Sequence, residues 1–519
     1  MKKNLTVFLF IVSGLVWLYF SLFHCFDDDE FQHCHNAYLI WKGLVPYRDF
    51  FEHHIPLYHI LFSALFAFDA GRWTIFLFRI ASVIASAGVF VLIGKYLKKT
   101  YDSATAIISL TLLACVPMFL IKMTEARPES IAVFVFALTM IFVFSHHFDR
   151  NVFFTGILSG LMVCFSQKYF FVYIGILVAC FIMHGRKQTV FFIAGSFSMF
   201  FVLILYLVSK GILPDFINST LLMNIKWKYR FSPAGYFYQA FQTAGFLIAC
   251  GIAGIIGEFF ISGNKKKAMS LFSIMIGCLL AIVIVPVPYR QVFLPFFVVL
   301  TIAGGWFFYH FLQVFQSQKL KIIAATIVVV CAVSGAIPII SQQATQKNSP
   351  DLCTMKKADE ISPGTPFFDG RCLLFYRMHT GYFGFMHHEL LEMIDLQEYS
   401  VQTIEAIKEN HYPVVIYDYR VKQMPDEIQN FIQKHYCSTG FGDIYMPGIT
   451  IDRAEFIDGK ANFEINVSGW YKIKLEGEHL LIDGKTVSDR DIIFLQRGNH
   501  TAEITGFIEY LTAILEKRL

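Results

Sequence analysis

The sequence predicts an all-α polytopic membrane domain of about eleven transmembrane helices, followed by a soluble α/β plus β-sandwich C-terminal region. Three observations carry this. Hydrophobic residues make up 55% of the 519, charged residues only 16%, and 57 residues are Phe. Soluble domains carry about a quarter charged residues, so much of this apolar surface must face lipid. The apolar residues also come in runs near the ~20 residues that cross a hydrocarbon core. After a polar linker from Ser341 to Pro350 the runs stop and short strand patterns take over.

The predicted spans fall at about 5–24, 73–94, 104–121, 128–145, 151–167, 169–184, 189–209, 236–262, 268–285, 291–309 and 320–341. Met1-Lys2-Lys3 before an apolar run is the pattern of a signal peptide. The run ends in Phe23-His24-Cys25-Phe26 with no small-residue cleavage site, which predicts an uncleaved first helix. With Lys2 and Lys3 inside, alternation places Lys95, Lys98 and Lys99, Arg150, Arg186 and Lys187, Lys265 to Lys267, and Lys319 and Lys321 all inside. If residues 55–68 also spanned, Lys98 and Lys99 would move outside. That run is short and holds His59, so it reads as a helix lying in the outer interface.

This parity divides the chain into three parts: a transmembrane domain over 1–342 with a long first outer loop at 25–72, an outer α/β segment over 343–450, and an outer β-sandwich-like domain over 451–519. Pro413 to Asp418 reads as a strand, and Pro425 to Tyr436 as a helix opened by proline. Residues 461–467, 471–475, 480–482 and 500–504 read as strands, with Asp483-Gly484 as a hairpin turn. The expected location is the plasma (inner) membrane, with the C-terminal region extracytoplasmic.

A net charge of +4 with no basic tail gives no footprint for nucleic acid. There is no Gly-rich phosphate loop and no Cys-x-x-Cys pair for zinc. Most of the eleven cysteines sit in apolar runs, while Cys25 and Cys34 lie close enough in a polar loop to leave a disulfide open.

The ionisable residues at the outer ends of the spans form an unusual set. The first outer loop holds Asp27, Asp28, Asp29, Glu30, His33, His35, Asp49, Glu52, His53 and His54; other outer ends add Lys122, Glu125, Arg127, Glu129, Lys168, Lys226, Arg230 and Arg290. Charges at membrane depth are costly and mark function by default. Near one interface, they suit a substrate with a polar head at the surface and a tail in lipid. Asp27 and Asp28 read as a solvated cap after the first span, whereas Asp29 reads as functional. Glu52-His53-His54 opens the interfacial helix, either as a polar lip or as a second carboxylate able to orient a hydroxyl. Pro128 and Glu129 suit the first turn of a helix, but that does not account for Arg127. Arg127, Lys168 and Arg290 would together suit a phosphate, unless Lys168 and Arg290 simply snorkel to the interface. The histidines match no strong ligand motif, so no cofactor is called for and a divalent metal is left open.

Three segments carry a resemblance: Asp29-Glu30-Phe31 with Trp41 to Phe50 and Glu52 to Tyr58; Ala126-Arg127-Pro128-Glu129; and Tyr289-Arg290-Gln291-Val292-Phe293-Leu294-Pro295. Together, over about residues 1–340, the chain resembles the GT-C fold glycosyltransferases, which include the protein O-mannosyltransferases and the aminoarabinose transferases of lipid A. Their pattern is an Asp-Glu pair after the first span, Gly-x-x-Pro-Tyr, a Pro-rich start to an interfacial helix, Ala-Arg-Pro-Asp and a late Arg-Tyr-x-x-Pro. Glu129 stands where Asp is commoner, and His53-His54 replaces Lys-Pro or Pro-Pro, which leaves sugar and acceptor open.

The resemblance implies an inverting membrane glycosyltransferase. It would move a sugar from a polyprenyl-phosphate carrier to a hydroxyl of a glycan, lipid or protein acceptor on the outer face. Asp29 matches the catalytic carboxylate and Glu52 a second acidic position. Glu30, His53, His54, Arg127, Glu129, Lys168, Tyr289 and Arg290 are the expected substrate-binding residues. The rivals are a transporter or lipid-linked sugar flippase, which would show polar or broken helices at the midplane, and a scaffold presenting the C-terminal region.

Overall fold

The structure is a computed structural model that describes residues 14–145, 148–227, 232–287, 289–477, 479–506 and 508–518. The predicted opening of the first span at 5–13, with Lys2 and Lys3, lies outside these, as do Arg230 and Pro288 and the side chain of Arg150. The chain divides into two compact units. One contains residues 1–41, 45–48 and 52–348; the other contains residues 42–44, 49–51 and 349–519.

The first unit is helical. Where the predicted spans are described they fall largely on helical chain, but among the described residues six helices are long and apolar enough to cross a membrane, or seven with one bent pair. Length explains part of the difference from eleven. Pro128–Val143, at 16 residues, is shorter than a full crossing. Ser103–Ala114 and Pro117–Thr124 form one run bent by 75° where Pro117 cannot continue the helix. The run Phe170–Ser209 breaks at Gly185, whose φ of 78° is open to glycine at little cost. Leu57–Ser63, predicted as interfacial, is a helix of 7 residues.

Packing follows small residues. A Cβ on Gly156 would lie 2.1 Å from the Phe192 carbonyl oxygen, and one on Gly195 would lie 2.0 Å from that of Phe153. The two helices can therefore touch backbone to backbone, as small residues allow in membranes. Leu294–Gln313 is buried almost throughout, whereas Gln318–Thr345 keeps only Ala336 buried. The first is the centre of the helical unit and the second its exposed margin.

The second unit is built on two sheets. Its strands are β1 (Phe367–Phe368), β2 (Val414–Ile416), β3 (Tyr436–Ser438), β4 (Ile444–Asp452), β5 (Lys460–Ile465), β6 (Gly469–Gly477), β7 (Leu480–Ile482), β8 (Lys485–Val487), β9 (Ile492–Leu495), β10 (Gly498–Ile504) and β11 (Ile508–Arg518). One sheet runs β1-β2-β4-β11-β6-β9 with β3 on β4, and the other runs β5-β10-β7-β8. β1 and β2 are parallel, and helices Leu396–Glu409 and Asp426–His435 belong to this α/β part. β4 pairs with β2 and β3 and also with β11, so one strand joins the α/β part to the strand-rich part that follows. β5 alternates exposed and buried residues, as a half-buried strand should. The expected turn at Asp483-Gly484 closes β7 and β8 with φ of 50° and 78° at its two residues, the left-handed pair of a tight hairpin.

Candidate active site

The helix Asp28–Trp41 carries Asp28, Asp29 and Glu30 in its first turn, where carboxylates meet the positive end of the helix dipole. Asp27 stands just before it and accepts the Asp29 backbone N–H at 3.1 Å, in the manner of a cap. The expected solvated role for Asp27 is not what the structure shows. Its carboxylate is 2.8 Å from Lys122 Nζ and 2.6 Å from Arg127 Nη2, because both cations end on the segment facing this turn.

Arg127 precedes Pro128, which keeps it out of helical conformation, with φ −133° and ψ 147°. This breaks the chain between Pro117–Thr124 and Pro128–Val143 and turns the guanidinium into the carboxylates. Nη1 lies 2.7 Å from Asp29 Oδ2, and Nε lies 2.5 Å from Glu125 Oε2. Arg127 is 2% exposed, while the Asp29 side chain is 30% exposed, so Asp29 is the open member of the pair. Burial pushes the Asp29 carboxyl up, but Arg127 and then Lys168 outweigh it and hold the carboxyl well below the usual range. Asp27 is likewise raised by burial and lowered more by Arg127 and Lys122, down to about 2.

Glu30, grouped by sequence with the substrate-binding residues, is fully buried. It accepts Arg79 Nε at 2.7 Å, Arg79 Nη2 at 2.6 Å and the Ala126 N–H at 2.7 Å. Arg79 also donates to the carbonyls of Ser21, His24 and Cys25 at 3.0 Å. Every direction of this ion pair is met, and that is what makes a buried pair tolerable. It ties the ends of two helices to the start of the acidic helix. Sequence reasoning passed over Arg79. The signal was a lone arginine inside an apolar span.

Lys168 sits in the 3-10 turn Gln167–Tyr169, and its Nζ lies 2.9 Å from Glu129 Oε1. Gln167 beside it was also missed. Its Nε2 donates to the His53 carbonyl at 3.0 Å, and its Oε1 accepts the Ile55 N–H at 3.3 Å. Asn224 Nδ2 donates to the same His53 carbonyl at 3.1 Å. Arg290 Nε donates to Gln239 Oε1 at 3.2 Å. The Tyr289 ring stands 6.3 Å from that of Tyr236, edge-on.

Glu52 is fully buried at the centre of a histidine cluster. Oε1 accepts the N–H groups of His53 and His54, each at 2.8 Å, and Asn36 Nδ2 donates to Oε2. His54 Nδ1 is 2.8 Å from Oε1, and His59 Nδ1 is 3.4 Å from Oε2. Burial raises Glu52, but His59 and His54 lower it further, to well below the carboxylate range. His33 Nδ1 lies 3.0 Å from His59 Nε2. Burial holds His33 low, helped by His54, His59 and Arg127, so His33 lies within the field of both the arginine and the histidine clusters. Cys25 and Cys34 are both free thiols, so the disulfide left open by sequence is not formed.

No protein-family model and no curated protein matches this chain. Solved structures do. ArnT from Cupriavidus metallidurans, in a crystal structure bound to undecaprenyl phosphate, superposes with a TM-score of 0.55 at 11% identity, covering 97% of this chain and 99% of that one. In the apo state the TM-score is 0.57 at 11% identity, covering 86% and 98%. At this identity the likeness is one of fold, and it spans both units: the chain has the GT-C fold of ArnT over nearly its whole length.

Proposed function

We propose that this chain is an integral membrane glycosyltransferase that moves a sugar from a polyprenyl-phosphate carrier to an acceptor hydroxyl on the outer face, with inversion. The observation that carries the reading is Asp29, a part-exposed carboxylate kept ionised by a buried arginine, in a chain with a GT-C fold. That one solved relative was crystallised with undecaprenyl phosphate supports a lipid-phosphate donor.

Asp29 Oδ2 is engaged by Arg127. Its other oxygen is the general base that takes the acceptor proton as the hydroxyl attacks the anomeric carbon. A carboxylate with a depressed pKa is a weak base. It suffices where the sugar–phosphate bond breaks early toward an oxocarbenium-like state and the proton moves late. The leaving lipid phosphate needs its charge met by pre-placed cations. Lys168 and Arg290 supply it directly. Arg127, wrapped by three carboxylates, contributes chiefly by aiming Asp29. Glu129 holds Lys168, Glu30 anchors the acidic turn, and Tyr289 packs beside Arg290. His53 and His54 line the site next to Glu52, the second acidic position.

Eleven spans and an extracytoplasmic C-terminal region complete the reading, because only that parity keeps every basic loop inside. Purified protein offered a panel of polyprenyl-phosphate sugars should release sugar from one of them; no release from any returns the flippase reading to first place. Cysteines placed at 350 and 266 test the topology: labelling from outside at 266 but not at 350 reverses it.

A further inference from the structure

We propose that the outward face of β6 and β9 is a binding surface for an acidic glycan chain, with Trp470 and Phe494 stacking on sugar rings and Lys472, Lys474 and Lys517 meeting the acidic groups. The strand β6 sends Tyr471, Ile473 and Leu475 into the core, and so turns Trp470, Lys472 and Lys474 to the other face. There Trp470 is 43% exposed, and Phe494 and Ile492 on β9 are 36% and 52% exposed. β9 is the last strand of its sheet. An edge strand with large apolar side chains in the open is a hazard that folded chains normally bury or charge, so a patch left in this state points to a partner. The register sets Trp470 directly opposite Phe494, with ring centroids 5.6 Å apart and ring planes at 67°. Both keep ring surface open, and a pyranose presents a face of C–H groups that packs on such a ring.

The charges around the pair decide the kind of glycan. Trp470 stands opposite Lys517, Lys472 opposite Ile492 and Ile514, and Lys474 opposite Thr512, so no acid faces any of the three lysines across the ladder. On the other sheet Lys460 has Glu503 opposite it at 2.7 Å, the ordinary arrangement for exposed charges on paired strands. Glu516 falls in the bulge between Leu515 and Lys517 and has no place in the ladder. Asp452 and Glu476 flank Tyr510 at the far end of the face. The aromatic end is therefore basic, which complements carboxylate, sulfate or phosphate groups on a sugar. An anionic bilayer carries the same charge. But the rings lie on paired strand backbone rather than on a projecting turn, and a flat sheet face cannot sink them among acyl chains without taking Lys472 along. An extended sugar chain lies flat on such a face, which runs from β9 over β6 and β11 to β4 in three steps of ~4.8 Å. The surface lies outside the residues assigned to sugar transfer and does not depend on that reaction.

The test holds the full-length protein in phosphatidylcholine nanodiscs and measures binding of polygalacturonate and dextran sulfate. Neutral dextran, polyphosphate and phosphatidylglycerol vesicles are the comparisons. We expect saturable binding of at least one acidic polysaccharide, and weaker binding of neutral dextran. Trp470→Leu and Phe494→Leu keep apolar bulk but remove the ring, and each should weaken the binding roughly 10-fold. Lys472→Gln with Lys517→Gln should weaken it by a similar factor and flatten its salt dependence. If Trp470→Leu does not fold, Phe494→Leu and Trp470→Phe decide, the second keeping most of the binding. Failure of both acidic polysaccharides to bind overturns the surface. So does binding that both leucine variants leave intact and that polyphosphate matches, since that is charge alone. Capture by phosphatidylglycerol vesicles in place of polysaccharide, lost in the leucine variants, would put a membrane on this face. Self-association lost in the same variants would put a second copy of the chain there, and either result also overturns the proposal. Binding is read without sugar donor, so failure here leaves the transferase reading standing, and failure of sugar transfer leaves this surface standing.

Discussion

Arg127 Nη1 lies 2.7 Å from Asp29 Oδ2, between a guanidinium that is 2% exposed and a carboxylate that is 30% exposed. The same guanidinium reaches Asp27 and Glu125 through its other nitrogens. Of the carboxylates it holds, Asp27 and Asp29 keep about a third of their surface open, and Glu125 is buried. Lys122 also engages Asp27, so Asp29 is the one best placed to meet an incoming hydroxyl.

Asp29→Asn keeps size and removes basicity. We expect turnover to fall roughly 10²–10⁴-fold, the range of a general base, with donor binding largely kept. Asp28→Asn should be mild. Asp27→Asn should fall between them, because Asp27 shares Arg127 and Lys122 with the site. Sugar transfer at saturating donor, with donor binding measured alongside, decides it; unchanged turnover in Asp29→Asn removes the base.

Arg127→Ala leaves Asp29, Asp27 and Glu125 without their shared cation. Breaking a buried pair costs about 3–5 kcal/mol, so both stability and transfer should drop. Arg127→Lys should rescue little, because an ammonium does not offer the planar fork that meets three carboxylates. Thermal unfolding in detergent would show it, and full stability of Arg127→Lys would contradict it.

Lys168→Ala and Arg290→Ala should each weaken donor binding or slow transfer by about 2–4 kcal/mol, as expected for a lost charge-assisted contact to phosphate. Lys168→Ala also strips Glu129 of its partner, so Glu129→Gln in the same background should recover part of the loss. Normal activity in both single variants would remove the phosphate assignment.

The C-terminal unit carries its own pH dependence. Burial first, and then the charge of Asp418, push the Asp369 carboxyl up to about 8 from an ordinary 3.8. A raised carboxyl stabilises the fold fully below its unfolded value and loses that contribution as pH rises through the folded one. Thermal stability of this unit should therefore decline between about pH 4 and pH 8. Asp369→Asn should flatten the decline; an equally steep curve in that variant would place the effect elsewhere.

What the sequence determined by itself is the part set by one-dimensional chemistry. Apolar run length and loop charge gave the positions of the helical segments. Pro128 after Arg127 and the acidic turn at Asp27 to Glu30 gave the place of the charged cluster. The Asp483-Gly484 turn gave a hairpin. Only the tertiary structure decided which ionisable groups meet. Arg79 and Glu30 are 49 residues apart, and Asp29 and Arg127 are 98 apart. No local pattern separates Glu30, closed inside an ion pair, from its neighbour Asp29, left about a third open. The gap between six long helices among the described residues and eleven apolar runs has a similar cause. Pro117 bends a run whose composition reads as one span, the runs read as two spans at 169–184 and 189–209 join across Gly185, and whether a short apolar helix crosses or stops depends on what it packs against. Partner choice depends on distances that folding sets, and a buried charge is tolerated only where several such partners converge.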